Sequence, residues 1–391
     1  MNAQEAQLDY CIGQATPEPG HVIEVASGVL WARMQLPFAL NHINVWLLRD
    51  VIEDDAGGPL REGWTIVDCG IGNEATHASW ERIFADALGG LPVLRVIVTH
   101  MHPDHIGSAA WLCERWNVRL WISATDYNVA RLASSASAGF GGPLSAAFMA
   151  RHGMAADPAA VSEVGARINY YRNLVPSLPE SYWRLLDGGT VTIGDASWTT
   201  HAGYGHAPEH MALHCAERGI LISGDMVLPR ISTNVSVIDI EPESDPLRLY
   251  LESIEQMRAI PAGTLVLPSH GLPFKGLHTR IDQLQAHHAE RFAEVLEACA
   301  KAPQTAFDLV PVLFKRPLDL HQMTFAMGES IAHCHALWLA GQLKRRVGQD
   351  GTVRFSAHPS WTLAQSNRFC STLLFLLVRG YHLSNCTPSS R

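Results

Sequence analysis

The chain has 391 residues, 47% of them hydrophobic and 17% charged, which supplies one large core and a smaller second one and excludes a disordered or fibrous polypeptide. The formal charge of −9 argues against a generic polyanion-binding surface. No apolar run is long enough to span a bilayer; Leu373 to Val378 is far too short. The first ten residues lack the basic segment and apolar stretch of a secretory leader, and the eight cysteines include no C-x-x-C pair. Reduced thiols in a cytoplasmic protein are therefore expected.

In chain order, Val22 to Val25 and Asn44 to Leu48 read as strands of a hairpin, and residues 54–59 as a turn cluster. Trp64 to Gly72 is a buried strand that stops at a glycine-rich loop. Asp68 sits at its carboxyl end, where it caps the loop or orients a neighbouring site. Apolar positions at helical spacing from Ala78 to Leu88 predict a helix that crosses to the next strand, giving a strand–helix–strand unit.

That next strand carries the main signal. Val96-Ile97-Val98 passes directly into His100, His102, Asp104 and His105, and then into Gly107 and a helix over Ala109 to Trp116. Histidines two apart on extended chain leave on the same side, and Asp104 and His105 follow where the chain turns, so one loop can serve two adjacent metal ions. The pattern His-x-His-x-Asp-His would arise by chance in roughly two of a thousand such sequences, which sets aside the reading of these as ordinary surface or core histidines.

Val118 to Ile122 gives one more strand. Residues 124–181 differ in texture, with glycine and serine concentrated at 134–143 and helical periodicity from Val161 to Leu174; a helical insertion placed as a lid is expected. Strands then recur at Thr190 to Ile193, Ser197 to His201, Met211 to Cys215, Gly219 to Asp225 and Thr264 to His270. They deliver His206, Asp225 and His270 to strand-end loops, where α/β sheets place their chemistry.

From Asp68 to His270 these residues resemble the metallo-β-lactamase superfamily, with Asp68 as its first acid, His100, His102, Asp104 and His105 as its signature loop, and His206, Asp225 and His270 as its later ligands. The resemblance implies an α/β fold of αββα sandwich type, from residue 1 to 278. It also implies two Zn²⁺ ions, one held by His100, His102 and His206 and the other by Asp104, His105 and His270, with Asp225 bridging. Each ion keeps an open position, as catalytic zinc does. The nitrogen and oxygen donors favour zinc, with Mn²⁺ or Fe²⁺ as alternatives. Members that destroy β-lactams generally lack the bridging acid, whereas glyoxalase II-type thioesterases and the nuclease branches keep it. His210 stands where the segment resembles the family's Gly-His-Thr-Pro-Gly-His, departing at Ala207 and Glu209. It is expected behind the ligands or facing substrate, and together with Asp104 it is the candidate catalytic residue.

From about Arg280 the chain reads as helical, with a helix over Met327 to Arg346 and a short β wing around Gly351 to Phe355. This resembles the winged-helix tail of lactamase-like hydrolases and gives an expected second domain at 279–358, with 359–391 unassigned. His333 and His335 are expected on the helix surface, and His287, His288 and Lys344 to Arg346 as solvated helix-end residues.

The expected function is a dinuclear zinc hydrolase in which a metal-bridged hydroxide attacks an ester, thioester or related acyl compound of small size. The alternative is a metal-dependent endoribonuclease of the winged-helix branch, with RNA as partner, which the weak basic content opposes. A third is a non-catalytic binding protein on the same scaffold, opposed by the complete ligand set. No membrane partner is expected, and homo-oligomerisation is left open.

Overall fold

The computed structural model describes residues 3–53, 58–135 and 141–358. Residues 54–57 of the turn expected at 54–59, the centre of the glycine- and serine-rich stretch and the tail beyond 358 lie outside them. The chain opens with β1 (Val22–Ala26), β2 (Val29–Gln35), β3 (His42–Glu53) and β4 (Leu60–Val67). Helix α1 (Glu74–Asp86) leads to β5 (Val93–Ile97), and the one-turn α2 (Pro103–Ile106) with α3 (Ala109–Trp116) leads to β6 (Leu120–Ser123). Helices α4 (Ala124–Ala133), α5 (Gly142–Arg151), α6 (Pro158–Ala166) and α7 (Tyr170–Leu174) precede β7 (Tyr182–Leu185). A second series follows: β8 (Thr190–Ile193), β9 (Ala196–Gly203), β10 (His210–Cys215) and β11 (Ile220–Gly224), then α8 (Pro246–Gln256) and β12 (Leu265–Pro268). Helices α9 (Leu277–Lys301), α10 (Ala306–Leu313) and α11 (Leu320–Leu339) and the hairpin of β13 (Leu343–Val347) and β14 (Val353–Ala357) come last.

The chain falls into two compact units. The first comprises Met1–Ala146, Glu163–Thr233 and Arg258–Arg280. It holds a seven-stranded sheet in the order β1 to β7 and a five-stranded sheet in the order β12-β11-β10-β9-β8, both mixed. Side-chain alternation explains why they stack. On β2 and β3, Leu30, Ala32, Met34, Ile43, Val45 and Leu47 point to one face, where Trp80 and Ile83 of α1 and Leu112 of α3 cover them. The alternate residues Val29, Trp31, Trp46 and Leu48 point to the other face and meet Trp198, Met211, Leu213, Ile222 and Leu267 of the second sheet. One layer is therefore sheet on sheet, and helices pack on the outer face of the larger sheet.

The α/β sandwich matches the expected fold class, with local differences. Val29–Gln35 intervenes between the two expected hairpin strands, pairing Val22 with Ala32 on one side and Trp31 with Trp46 on the other. Its residues are buried on both faces, so no apolar–polar alternation marks it. Helix α1 starts four residues earlier than expected because Asn73 caps it, its side chain accepting from Thr76 N–H at 2.8 Å.

The second unit comprises Ala147–Ser162, Asn234–Met257 and the chain from Ile281. The helical insertion is therefore not one body, since its middle belongs here. Phe307 N–H donates to His152 O, and a Cβ on Gly153 (φ +106°) would come within 2.2 Å of the Thr305 hydroxyl. The expected helix to Arg346 stops at Leu339, the chain turns at Gly341, and Lys344 to Arg346 lie in β13, where Arg345 forms a two-pronged pair with Glu243 at 2.9 Å. His333 and His335 are buried rather than on the surface. His288 is buried in the middle of α9, with Nδ1 3.3 Å from His333 Nε2. Helix α11 is buried on every side from Ala326 to Leu337, so His333 and His335 are enclosed whichever way they point. Among the described residues no helix is long and apolar enough to cross a membrane.

Candidate metal centre

Every candidate ligand leaves the carboxyl end of a strand of the first unit. His100 and His102 follow β5, Asp104 and His105 lie in α2, His206 lies between β9 and β10, and Asp225 and His270 follow β11 and β12. The structure brings them together in two groups. His100 Nε2, His102 Nδ1 and His206 Nε2 form a triangle with sides of 2.9, 3.1 and 3.2 Å. Ligands 2.0–2.1 Å from a tetrahedral ion stand about 3.3 Å apart, so the triangle is close to the size such an ion needs.

In the second group, His270 Nε2 lies 3.4 Å and His105 Nε2 3.6 Å from Asp104 Oδ2. Asp225 joins the two groups. Its Oδ2 is 3.3 Å from His206 Nε2, while its Oδ1 is 3.5 Å from His270 Nε2 and 3.6 Å from His105 Nε2. His105 Nε2 and Asp225 Oδ1 are buried without a hydrogen-bond partner. Converging donor atoms, two of them orphaned, fit a cation at each group. Asp104 keeps 20% of its side chain exposed against 10% for Asp225, so it faces the open side of the centre.

Hydrogen bonds behind the ligands fix which ring nitrogen is free. Asp68 Oδ2 lies 2.9 Å from His105 Nδ1; a carboxylate can only accept, so Nδ1 carries a proton and Nε2 is the nitrogen left to face the second group. Asp68 sits at φ 65°, a left-handed conformation that aspartate tolerates, and also accepts Thr99 N–H at 2.8 Å. The Thr99 hydroxyl stands between the Asp68 carboxylate, 3.0 Å away, and His100 Nδ1, 3.1 Å away. His270 Nδ1–H donates to His42 O at 2.7 Å.

The electrostatics follow from this packing. Burial, reinforced by the surrounding imidazoles, holds His100 well below the ordinary histidine range, and burial with His206 brings His102 down to about 3. Burial opposes charge on His105 and His270 too, but the carboxylates outweigh it. Asp68, Asp104 and Asp225 lift His105 well above its usual range, and Asp225 and Asp104 lift His270 to about 10. Burial likewise opposes charge on Asp225, yet His270 and His105 hold it well below the usual carboxylate range. Uncharged His100 and His102 in one group and carboxylates paired with His105 and His270 in the other suit divalent cations.

His210, with Asp104 one of the two candidate catalytic residues, is fully buried. Asp225 N–H donates to its Nε2 at 3.2 Å, and a Cβ on Gly224 (φ +53°) would come within 2.1 Å of that nitrogen. It therefore supports the backbone of Asp225 from behind. Sequence reasoning passed over other supports, because each is a single polar residue with no pattern around it. Asn44 accepts from Trp31 Nε1–H at 2.8 Å and Arg33 Nε–H at 2.9 Å and donates to Pro268 O at 2.8 Å, locking the His270 loop to the larger sheet. The Tyr171 phenol donates to Met101 O inside the histidine loop. Burial and the nearby Asp104 push the neighbouring Tyr170 phenol up to about 12.

Comparison with known proteins agrees with this geometry. The pattern of the metallo-beta-lactamase superfamily matches residues 43–270, and that of the metallo-beta-lactamase-like C-terminal domain matches 292–358. A crystal structure of a beta-lactamase domain protein from Burkholderia ambifaria is 53% identical, covering 91% of this chain and 100% of its own, with a TM-score of 0.85. A metallo-beta-lactamase family protein of Thermus thermophilus shares the fold at 24% identity and a TM-score of 0.65, over 86% of this chain and 100% of its own. The "Probable metallo-hydrolase YqjP" of Bacillus subtilis is 22% identical over 315 residues, 79% of this chain and 92% of its own. With the superfamily pattern running through the strands that carry every candidate ligand, this chain belongs to the metallo-β-lactamase superfamily.

Proposed function

We propose that this protein is a metal-dependent hydrolase that holds two zinc ions and cleaves an ester, thioester or related acyl compound of small size. The observation that carries the two-ion reading is Asp225, which turns one carboxylate oxygen toward each ligand group. His100, His102 and His206 would hold one ion and Asp104, His105 and His270 the other. The purely nitrogen and oxygen donor set favours zinc. Two such ions would supply Lewis acidity, making a water more acidic and polarising the substrate's oxygen.

The protein's own groups keep this arrangement in place. Asp68 and Thr99 hold the tautomers of His105 and His100, His210 holds the backbone of Asp225, and Asp104, the more open carboxylate, is placed to orient the attacking group. Support for hydrolysis comes from the Bacillus subtilis relative, whose name describes a metallo-hydrolase. The formal charge of −9 favours a small acyl substrate over a polyanion.

The test is turnover of a thioester, a lactone and a single-stranded RNA by metal-loaded protein of measured zinc content, each with and without chelator. Chelator-sensitive cleavage of an acyl substrate is expected. Cleavage of RNA alone would replace the substrate class, and no chelator-sensitive turnover on any of them would remove the hydrolase reading.

A further inference from the structure

We propose that Asp126 is a positioning residue for the first ion, its carboxylate tying the loop of His100 and His102 to the loop of His206 and so setting the spacing of the three ring nitrogens. The inference rests on the two-ion reading above and adds to it a group that touches neither ion.

Asp126 stands in the first turn of α4 and is fully buried. Its Oδ1 accepts the N–H of Met101, the residue between His100 and His102, at 2.8 Å. Its Oδ2 accepts the N–H of Glu209, three residues beyond His206, at 2.6 Å, and the Ser123 hydroxyl at 3.2 Å. Glu209 closes the connection from the other side, its carboxylate accepting Thr125 N–H at 3.4 Å. This gives Glu209, a departure from the family's pattern in that segment, a place in the structure.

Charge-assisted bonds from backbone N–H groups are among the stronger hydrogen bonds a protein makes, and here one carboxylate receives them from both loops. Met211 N–H also donates to Thr99 O, at the far end of the His206 loop. Burial pushes this carboxyl up to about 6 even with these bonds, so the group sits there at a cost that a mere helix cap on the surface would not carry. The groups around Asp104, His105 and His270 receive no bond from it.

That asymmetry makes the inference testable by cobalt titration of the metal-free protein, followed by visible absorption in competition with a chelator. In Asp126→Asn an amide N–H₂ replaces one of the two acceptors and faces a backbone donor. One of the two cobalt equivalents should bind 10–100-fold more weakly, with an altered absorption band, while the other binds as in the wild type. Equal weakening of both equivalents marks a general structural role and overturns the inference, as does unchanged binding of both. Wild-type protein that takes up fewer than two equivalents overturns the two-ion reading, and this inference with it. Should Asp126→Asn not fold, Ser123→Ala keeps the carboxylate but removes a donor that holds it, and a smaller selective loss of a few fold is expected. Failure of both variants to fold assigns Asp126 to the fold rather than to the centre.

Discussion

His105 Nε2 and Asp225 Oδ1 face each other across 3.6 Å, both buried and neither with a hydrogen-bond partner. An unsatisfied buried donor or acceptor costs about 1–3 kcal/mol, so two of them converging with Asp104 and His270 is stable as a cation site and costly without one. Metal should therefore stabilise the fold. At a free concentration 100 times its dissociation constant an ion contributes about 2.7 kcal/mol, which for a unit of this size is a rise of roughly 5–10 °C in melting temperature. Thermal melts with and without chelator check this, and equal melting temperatures would contradict it. Asp225→Ala should shrink the difference and lower the metal content, since it removes an oxygen from both groups.

The Asp68–His105 hydrogen bond gives a second prediction. Asparagine tolerates the left-handed backbone at position 68, so Asp68→Asn leaves the fold in place while removing the charge that fixes the His105 tautomer. Metal affinity should fall 10–100-fold with little loss of stability in the metal-free protein. Chelator competition measures the first and a denaturant titration the second. A wild-type affinity would mean that Asp68 only caps its loop.

Asn44→Ala should act on both stability and the centre. It strands the Trp31 indole N–H and the Pro268 carbonyl in the interior and frees the loop that carries His270. A loss of about 2–4 kcal/mol is expected from the unmet groups, together with weaker binding of the ion that His270 would hold. A variant that loses stability but keeps full metal affinity would show that the loop's remaining bonds, among them His270 to His42 O, Arg33 to Gly271 O and the backbone bond of residue 44 to Ser269 O, are enough to place His270.

How legible all this was in the sequence depends on whether a residue carries a pattern. The strands ending on Asp68, His100, Asp225 and His270 are short β-branched or apolar runs, and a polar residue at the end of such a run stands out. Strand β2 did not, and helix α11 was expected with its histidines on the surface, because both are enclosed on all sides and lose the apolar–polar alternation from which a face is read. Asp126 looks like any first-turn acid of a helix, and Asn44 like one polar residue in a strand. Their partners lie 25 and 83 residues away for Asp126 and 224 away for Asn44, and only the folded chain brings them together. The division of the 124–181 insertion between two units was hidden for the same reason, since its ties to Thr305 and Phe307 leave no local trace.

The second unit yields a prediction independent of metal. Burial brings both His152 and His333 down to about 4, and neither is near the ligand groups in sequence or bonding. Unfolded, each would titrate near the usual value of about 6.5. Between these values the unfolded chain binds protons that the folded chain refuses, so unfolding gains free energy as pH falls. Stability should be constant above about 6.5 as far as these groups are concerned, and should decline by up to about 1.4 kcal/mol per pH unit for each histidine down to about 4. In His333→Gln the slope of unfolding free energy against pH, measured by denaturant titration of metal-free protein, should be shallower by one proton across that window. An unchanged slope would mean that His333 takes up its proton in the folded state, which its burial in α11 argues against.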